Sequence, residues 1–186
     1  MEAIKKIEIN KIAKIILLAI FGSILLTISA KIKIPFYPVP MTMQTFVVLF
    51  LGIVLGSKIG LLTISLYLFE GIFGLPVFAG TPEKGIGLVY FTGPTMGYLI
   101  GFTIATYLAG LFKYESGLIS NFFKLVLSVS FIYFLGLFWL GILIGWEKPL
   151  FKLGAQPFLL AELFKILLLL FLLPSLIKIK KIAKII

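Results

Sequence analysis

Six long apolar runs follow one another along this chain, separated by shorter stretches in which Lys, Gly and Pro collect. They cover about residues 14–30, 41–56, 59–71, 94–112, 118–145 and 157–177. Apolar runs that recur in this way read as helices that cross a bilayer. The pattern predicts an all-α integral membrane protein, a six-transmembrane-helix bundle built as a single domain over residues 1–186. Ahead of the first run, Lys5, Lys6, Lys11 and Lys14 interleave with Ile4, Ile7 and Ile12, a short amphipathic approach to the membrane. No small-residue cleavage pattern closes that run, so it reads as a retained span and not as a cleavable signal.

The connections are of two kinds. Gly56-Ser57-Lys58 and Lys113 to Gly117 are tight turns. The others are long. Pro35, Pro38 and Pro40 bar a helix after Lys31. Gly74 to Gly93 is too rich in Gly and Pro for a plain helix, and its aromatics Phe78, Tyr90 and Phe91 argue for folding back onto a surface. Trp146 to Ala155 forms a third. Eight of the nine prolines, all but Pro174, lie on or near this side. Six spans place both termini together on the opposite side, with Lys58, Lys113, Lys124 and the lysines of both ends; Lys31, Lys33, Lys84, Lys148 and Lys152 fall across the membrane. The excess of lysine predicts cytoplasmic termini in the cell membrane. Short inner turns and long outer connections suggest a ligand pocket that opens outward.

Composition narrows the class. With 61% hydrophobic and 13% charged residues and a mean hydropathy of +1.19, a water-soluble domain of this size could not hide its apolar side chains. There is no Cys, His, Asp or Arg; every cation is Lys and every acid Glu. Most zinc sites and nucleophilic triads are thereby excluded. An enzyme would be left with Ser–Lys or Glu chemistry, and no Ser lies near Lys165 in sequence. The net charge of +10 sits in lysine clusters at segment ends, which fits anchoring at lipid headgroups better than nucleic acid.

Within the last run, Glu162 and Lys165 interrupt a segment otherwise fit for lipid. One charge at a helix centre in a bilayer costs on the order of 3 kcal/mol, and a spacing of three puts both side chains on one helix face. Intramembrane charges default to function. The plain alternatives are an acid favoured by a helix N-terminus and a snorkelling lysine. Glu70 reads as an interfacial residue at a helix end. Small residues recur every four positions at Ala19, Ser23 and Thr27 and again from Gly93 through Gly97, Gly101, Ala105 and Ala109, faces that allow close helix approach; an internal packing seam is the plain alternative for the first.

Three blocks carry a family resemblance: Pro38-Val39-Pro40-Met41-Thr42-Met43-Gln44-Thr45, Gly74-Leu75-Pro76-Val77-Phe78-Ala79-Gly80, and Gly93-Pro94-Thr95-Met96-Gly97-Tyr98-Leu99-Ile100-Gly101-Phe102. With the charged pair they resemble the BioY family, the biotin-specific substrate-binding S components of energy-coupling factor transporters, over about residues 13–177. In that family the last segment usually reads Pro-Phe-x-Pro-Gly-Asp-x-x-Lys; here Glu162 replaces the Asp and Leu160-Ala161 the Pro-Gly, while Lys165 is kept. The resemblance implies capture of biotin from outside. Release inward is then driven by a transmembrane coupling subunit and two cytoplasmic ATPases, with no cofactor in this chain and ATP used by the partners. It implies that Glu162 accepts from the ureido N–H groups and Lys165 donates to the ureido oxygen, since a carboxylate only accepts and an ammonium only donates. Gln44 and Thr45 would add polar contacts, Tyr90, Phe78 and Tyr37 would wall the apolar ring and tail, and Lys84 is a candidate for the carboxylate. An interfacial aromatic belt is the plain alternative for Tyr90 and Phe78. Ala19-x-x-x-Ser23 stands where the family carries its docking motif. An S component for another vitamin and a stand-alone small-solute transporter are the rival readings, although no internal repeat of the kind secondary transporters use is visible.

Overall fold

A computed structural model of the chain describes the backbone of residues 2–35, 37–115 and 117–185, and within these the side chains of residue 9 and residues 11–181. The first run and its lysine-rich approach form one continuous helix, α1 (Glu2–Lys31). No Gly or Pro precedes Gly22, so nothing in the sequence stops the helix at the membrane surface. The amphipathic approach is therefore not a separate element; the side chains of Ile4, Lys5, Lys6 and Ile7, and that of Lys184 at the other end, lie outside the described residues.

The second and third runs form α2 (Gln44–Ile72), interrupted at Gly56, whose φ of 77° and ψ of 173° suit only glycine. There the chain folds back on itself. The Gln44 amide nitrogen stands 2.7 Å from the Tyr67 phenol oxygen, whereas a straight helix would hold those residues roughly 34 Å apart. The remaining helices are α3 (Met96–Leu111), α4 (Leu118–Ile144), a short α5 (Leu150–Gly154) and α6 (Leu159–Ile185), the last preceded by a 3-10 turn at Gln156–Phe158. Among the described residues, four helical stretches are long and apolar enough to cross a membrane, and α3 is a shorter apolar helix. Because α2 is two halves joined at Gly56, the apolar helical segments number six, as the pattern predicts.

The bundle is organised around α3, which packs between α2 and α4, while α1 and α6 also lie against α2. Its small residues serve both neighbours. A Cβ at Gly101 would stand 2.6 Å from the Ile132 backbone of α4. On the α2 side the Thr106 hydroxyl donates to the Val48 carbonyl at 3.1 Å, a bond that only close backbone approach permits.

The α1 stripe takes the internal-seam alternative and not the docking role that the resemblance implies. Ala19 and Ser23 are 3% and 2% exposed, and the Ser23 hydroxyl lies 2.8 Å from both carboxylate oxygens of Glu70. These residues form an internal seam with α2, so the docking surface assigned to Ala19 and Ser23 is corrected. A four-residue spacing of small side chains shows that one face packs closely, and here the helix it packs against belongs to the same chain. Glu70 is likewise more than an interfacial acid, being the polar partner that α2 offers to this seam.

The long connections are ordered. Lys33–Ile34 (β1) and Met41–Thr42 (β2) pair antiparallel, Lys33 opposite Thr42 and Ile34 opposite Met41. In the 74–93 connection, the Lys31 ammonium at the end of α1 gathers the carbonyls of Pro76, Phe78 and Thr81 at 2.8, 3.0 and 3.3 Å. The Phe78 ring is thereby held against Gly71, where any side chain would collide with it.

Substituting Gly101 by Val should cost about 1–3 kcal/mol through overpacking, seen as a lower melting temperature of the detergent-purified protein. Gly117→Ser, at the N-cap of α4 with open space around it, should leave that temperature unchanged or raise it slightly, since Ser caps at least as well as Gly.

Candidate functional site

The first turn of α6 carries Glu162, where the helix dipole favours a carboxylate, and Lys165 follows on the same face. Both point inward, 5% and 6% exposed. The Lys165 ammonium lies 2.7 Å from Glu162 Oε1 and also donates to the Thr42 carbonyl at 2.7 Å and the Thr45 hydroxyl oxygen at 2.9 Å. Those three acceptors use all three N–H groups of an ammonium. The Thr45 hydroxyl donates in turn to Glu162 Oε1 at 2.9 Å. The lysine does not snorkel to the membrane surface; it is a buried tie between α6, β2 and the first turn of α2.

The hydrogen bonds from Lys165 and Thr45 both go to Oε1 of Glu162, and the Tyr133 phenol of α4 also faces this carboxylate closely enough to interact with it. Its other oxygen, Oε2, is the buried side-chain polar atom that lacks a hydrogen-bond partner among the described residues. Leaving such an atom unpaired costs about 1–3 kcal/mol, and more when it is charged. A native structure keeps an orphan of this kind where something else completes it.

Glu162 forms part of the wall of a cavity of about 50 Å³. One side is the backbone from Val39 to Thr42, followed by Gln44 and Thr45 at the start of α2; Ala79 and Tyr90 come from the long connection. Thr95, Tyr98, Leu99 and Phe102 come from the start of α3 and its approach, Ile132 and Tyr133 from α4, and Phe158 from the turn before α6. The wall is apolar apart from a few converging polar groups, the usual make-up of a small-molecule site. The volume is room for a water or two, well under the roughly 300–1,000 Å³ of ligand pockets. A larger solute therefore has to push wall side chains apart.

Of the residues singled out from sequence, Gln44, Thr45, Tyr90 and Glu162 meet at this cavity. Lys165 stands behind Glu162, its stem lining a separate cleft beside Ala161 and Phe164. Phe78 is one layer back, stacked on Tyr90 with ring centroids 4.8 Å apart, so it supports the wall instead of forming it. Two placements are corrected. Tyr37 is 91% exposed and Lys84 is exposed on the connection, its stem lying along Gly80; neither lines the cavity. Both sit in loops, where a sequence shows proximity along the chain but not the direction of a side chain.

Gln44 donates to the Tyr67 phenol oxygen, which donates to the Val77 carbonyl at 3.1 Å. Tyr90 donates to the Ala79 carbonyl. Burial raises its phenol above the ordinary range, partly offset by a hydrogen bond with Thr95, so the proton that makes this bond stays in place. The sequence reading missed Thr95, Tyr98, Tyr133 and Phe158. Thr95 and Tyr98 stand inside the quoted Gly-Pro-Thr block, and Phe158 inside the last motif, so a signal was present. Tyr133 is one aromatic among many on an apolar helix and carries none. Tyr98 is held by its hydrogen bond to the Gly154 carbonyl at 2.8 Å and by an edge-to-face contact with Tyr133 at 6.0 Å.

Removing one member of a buried ion pair leaves the other uncompensated. Lys165→Met should therefore cost about 3–5 kcal/mol of stability, and the Glu162→Gln, Lys165→Met double variant should recover most of it; thermal unfolding in detergent measures both.

Comparison with known proteins bears on the family and the fold. A sequence model described as the BioY family matches residues 3–182. A probable biotin transporter BioY of Pyrococcus horikoshii is 37% identical over 155 residues, covering 83% of this chain and 90% of that protein. The biotin transporter BioY of Thermotoga maritima is 36% identical over 143 residues, 76% of this chain and 83% of its own. The crystal structure of the S-component for biotin from an ECF-type ABC transporter superposes with a TM-score of 0.72 at 24% identity, covering 94% of this chain and 93% of that one. With six apolar helical segments and a family match over nearly its whole length, this chain is a multi-pass membrane protein and belongs to the BioY family.

Proposed function

We propose that this chain is a membrane-embedded biotin-binding subunit that captures the vitamin from the outer face for uptake. The observation that carries the reading is that Glu162, a residue of the cavity wall, keeps one buried carboxylate oxygen, Oε2, without a hydrogen-bond partner among the described residues. One oxygen of the carboxylate is tied to the protein, and the other is left to accept from a solute that offers N–H groups, as the ureido head of biotin does. The relatives named as biotin transporters support this ligand over other vitamins.

The roles differ in one respect from those the resemblance implies. Lys165 has already committed its donors to Glu162, Thr42 and Thr45. It holds Glu162 in place, and reaches the ureido oxygen only by exchanging one of these bonds. Gln44, whose amide has a second N–H beyond the one given to Tyr67, is a further donor within the wall. Tyr90, Tyr98, Leu99 and Phe102 supply the apolar surface for the thioether ring and tail. The wall that yields on entry is the Val39–Thr42 stretch, tied by a pair of two-residue strands, because sparsely bonded segments open at least cost.

The fold it shares with an S component of an ECF-type transporter supports a partner module of one transmembrane coupling subunit and two cytoplasmic ATPases. The sequence contains no Walker A glycine loop of its own. The lysine distribution supports cytoplasmic termini.

Purified protein should bind labelled biotin in preference to thiamin or riboflavin. Glu162→Gln and Lys165→Met should each weaken binding at least tenfold, about 1.4 kcal/mol, while Lys84→Gln and Tyr37→Ala leave it unchanged. Parent-like affinity in Glu162→Gln would remove the site assignment, and preference for a different vitamin would remove the ligand. The chain has no Cys, so single cysteines report topology: Tyr37→Cys should react with a membrane-impermeant maleimide on intact cells and Lys113→Cys should not. The reverse pattern would invert the orientation.

A further inference from the structure

A second ligand-sized feature lies far from the cargo cavity, at the end of the bundle that carries both termini. Between α4 and α6 runs an open apolar groove of about 740 Å³, lined by Leu118, Phe122, Phe123, Leu167, Phe171 and Pro174. Along the same edge is a different space of about 310 Å³, walled by Lys113, Tyr114, Glu115, Lys180 and Lys181 over a floor that includes Ile177. The two adjoin along both of their walls. Lys113 to Glu115 end three residues before Leu118, which begins both α4 and the groove. On α6, Lys181 follows Pro174 by seven residues, nearly the same face and roughly 10 Å further along the axis. An apolar trough thus ends at a basic pocket one or two turns beyond it.

We propose that this composite surface is a binding site for a single anionic phospholipid of the adjoining leaflet. The acyl chains lie in the α4–α6 groove and the phosphodiester sits among Lys113, Lys180 and Lys181. Charge complementarity and length both favour this occupant. Basic pockets between transmembrane helices at the headgroup level recognise anionic headgroups, each Lys near the surface contributing about 1 kcal/mol. Lys178, exposed on α6 four residues past Pro174, extends the same basic edge. Lys124 is anchored nearby, donating to the Lys113 carbonyl and lying 6.0 Å from the Tyr114 ring centroid, which fixes the loop that presents Lys113. Glu115 sets a limit, because its carboxylate disfavours a small free anion that brings no apolar contact of its own. A second copy of this chain is a poor occupant, since two such lysine clusters would meet like against like.

The test uses full-length protein in mild detergent and in mixed micelles with phosphatidylglycerol or with phosphatidylcholine of the same acyl chains. Native mass spectrometry reads the bound lipid. The parent should retain phosphatidylglycerol at least tenfold more tightly than phosphatidylcholine. Lys113→Gln with Lys181→Gln should abolish that preference, and Lys113→Arg with Lys181→Arg should keep it, with biotin binding unchanged in both as the check on folding. Leu167→Trp, which fills the groove, should weaken both lipids alike. Equal retention of the two lipids by the parent, an intact preference in the Gln variant, displacement of lipid by millimolar inorganic phosphate alone, or a dimer mass in lipid-free detergent would each overturn the proposal.

Discussion

An ammonium and a carboxylate held 2.7 Å apart inside an apolar bundle set the terms for everything around them. Desolvating two such ions costs several kcal/mol each, and their attraction repays this only if further hydrogen bonds complete the geometry. Here those bonds come from Thr42 and Thr45, which stand 123 and 120 residues away along the chain from Lys165. The connection between α1 and α2 must therefore arrive beside α6 in one register. The turn at Gly56 and the buried Gln44–Tyr67 bond fix how the start of α2 is presented there. A charge pair that would be a liability in lipid becomes the point at which three distant parts of the sequence are forced to agree.

The pair is also lopsided. Both the lysine and Thr45 approach the same carboxylate oxygen, and the second oxygen is left bare. A symmetric arrangement would satisfy the carboxylate and give a structural salt bridge with nothing further to do. The lopsided one stores an unmet acceptor at the wall of a cavity, where it is worth more than in water because the surroundings are of low dielectric. Rigid placement and residual capacity to bond thus come from the same residue, through different atoms.

How much of this was legible in the sequence depends on the kind of signal. The six spans were, because apolar runs of this length have few other uses, and the Gly-Ser-Lys turn marked where α2 reverses. Glu162 and Lys165 stood out because charge is rare in such runs. The aromatic wall was harder. In a chain with 15% aromatic residues, Tyr133 looks like any residue facing lipid until α4 is placed against α3. The Ala19–Ser23 stripe leaves an internal seam and a docking face open, because spacing identifies a face and not its neighbour; the resemblance points to docking, and the neighbour is settled by Glu70, 47 residues on from Ser23. The continuity of α1 and the β1–β2 pair went unseen because a lysine-rich start and a proline-rich linker hide, respectively, a helix that never pauses and two residues that pair.

Two lysines do comparable work on opposite sides of the cavity. Irregular backbone is tolerated within a membrane protein only where it is buried or lines a cavity and its carbonyls find partners. The Val39–Thr42 wall meets this condition through Lys165, bonded to the Thr42 carbonyl. The Ala79 wall meets it through Lys31, bonded to the neighbouring Phe78 carbonyl, and through Tyr90, bonded to Ala79 itself. A point charge with three rotatable donors suits this use, since it can collect carbonyls arriving from unrelated directions where a planar guanidinium could not. Loss of the Lys31 clamp would free the Ala79 wall while leaving the six helices in place, whereas loss of Lys165 also strands the buried Glu162 carboxylate, so on that side the shape of the cavity and the stability of the bundle depend on the same residue.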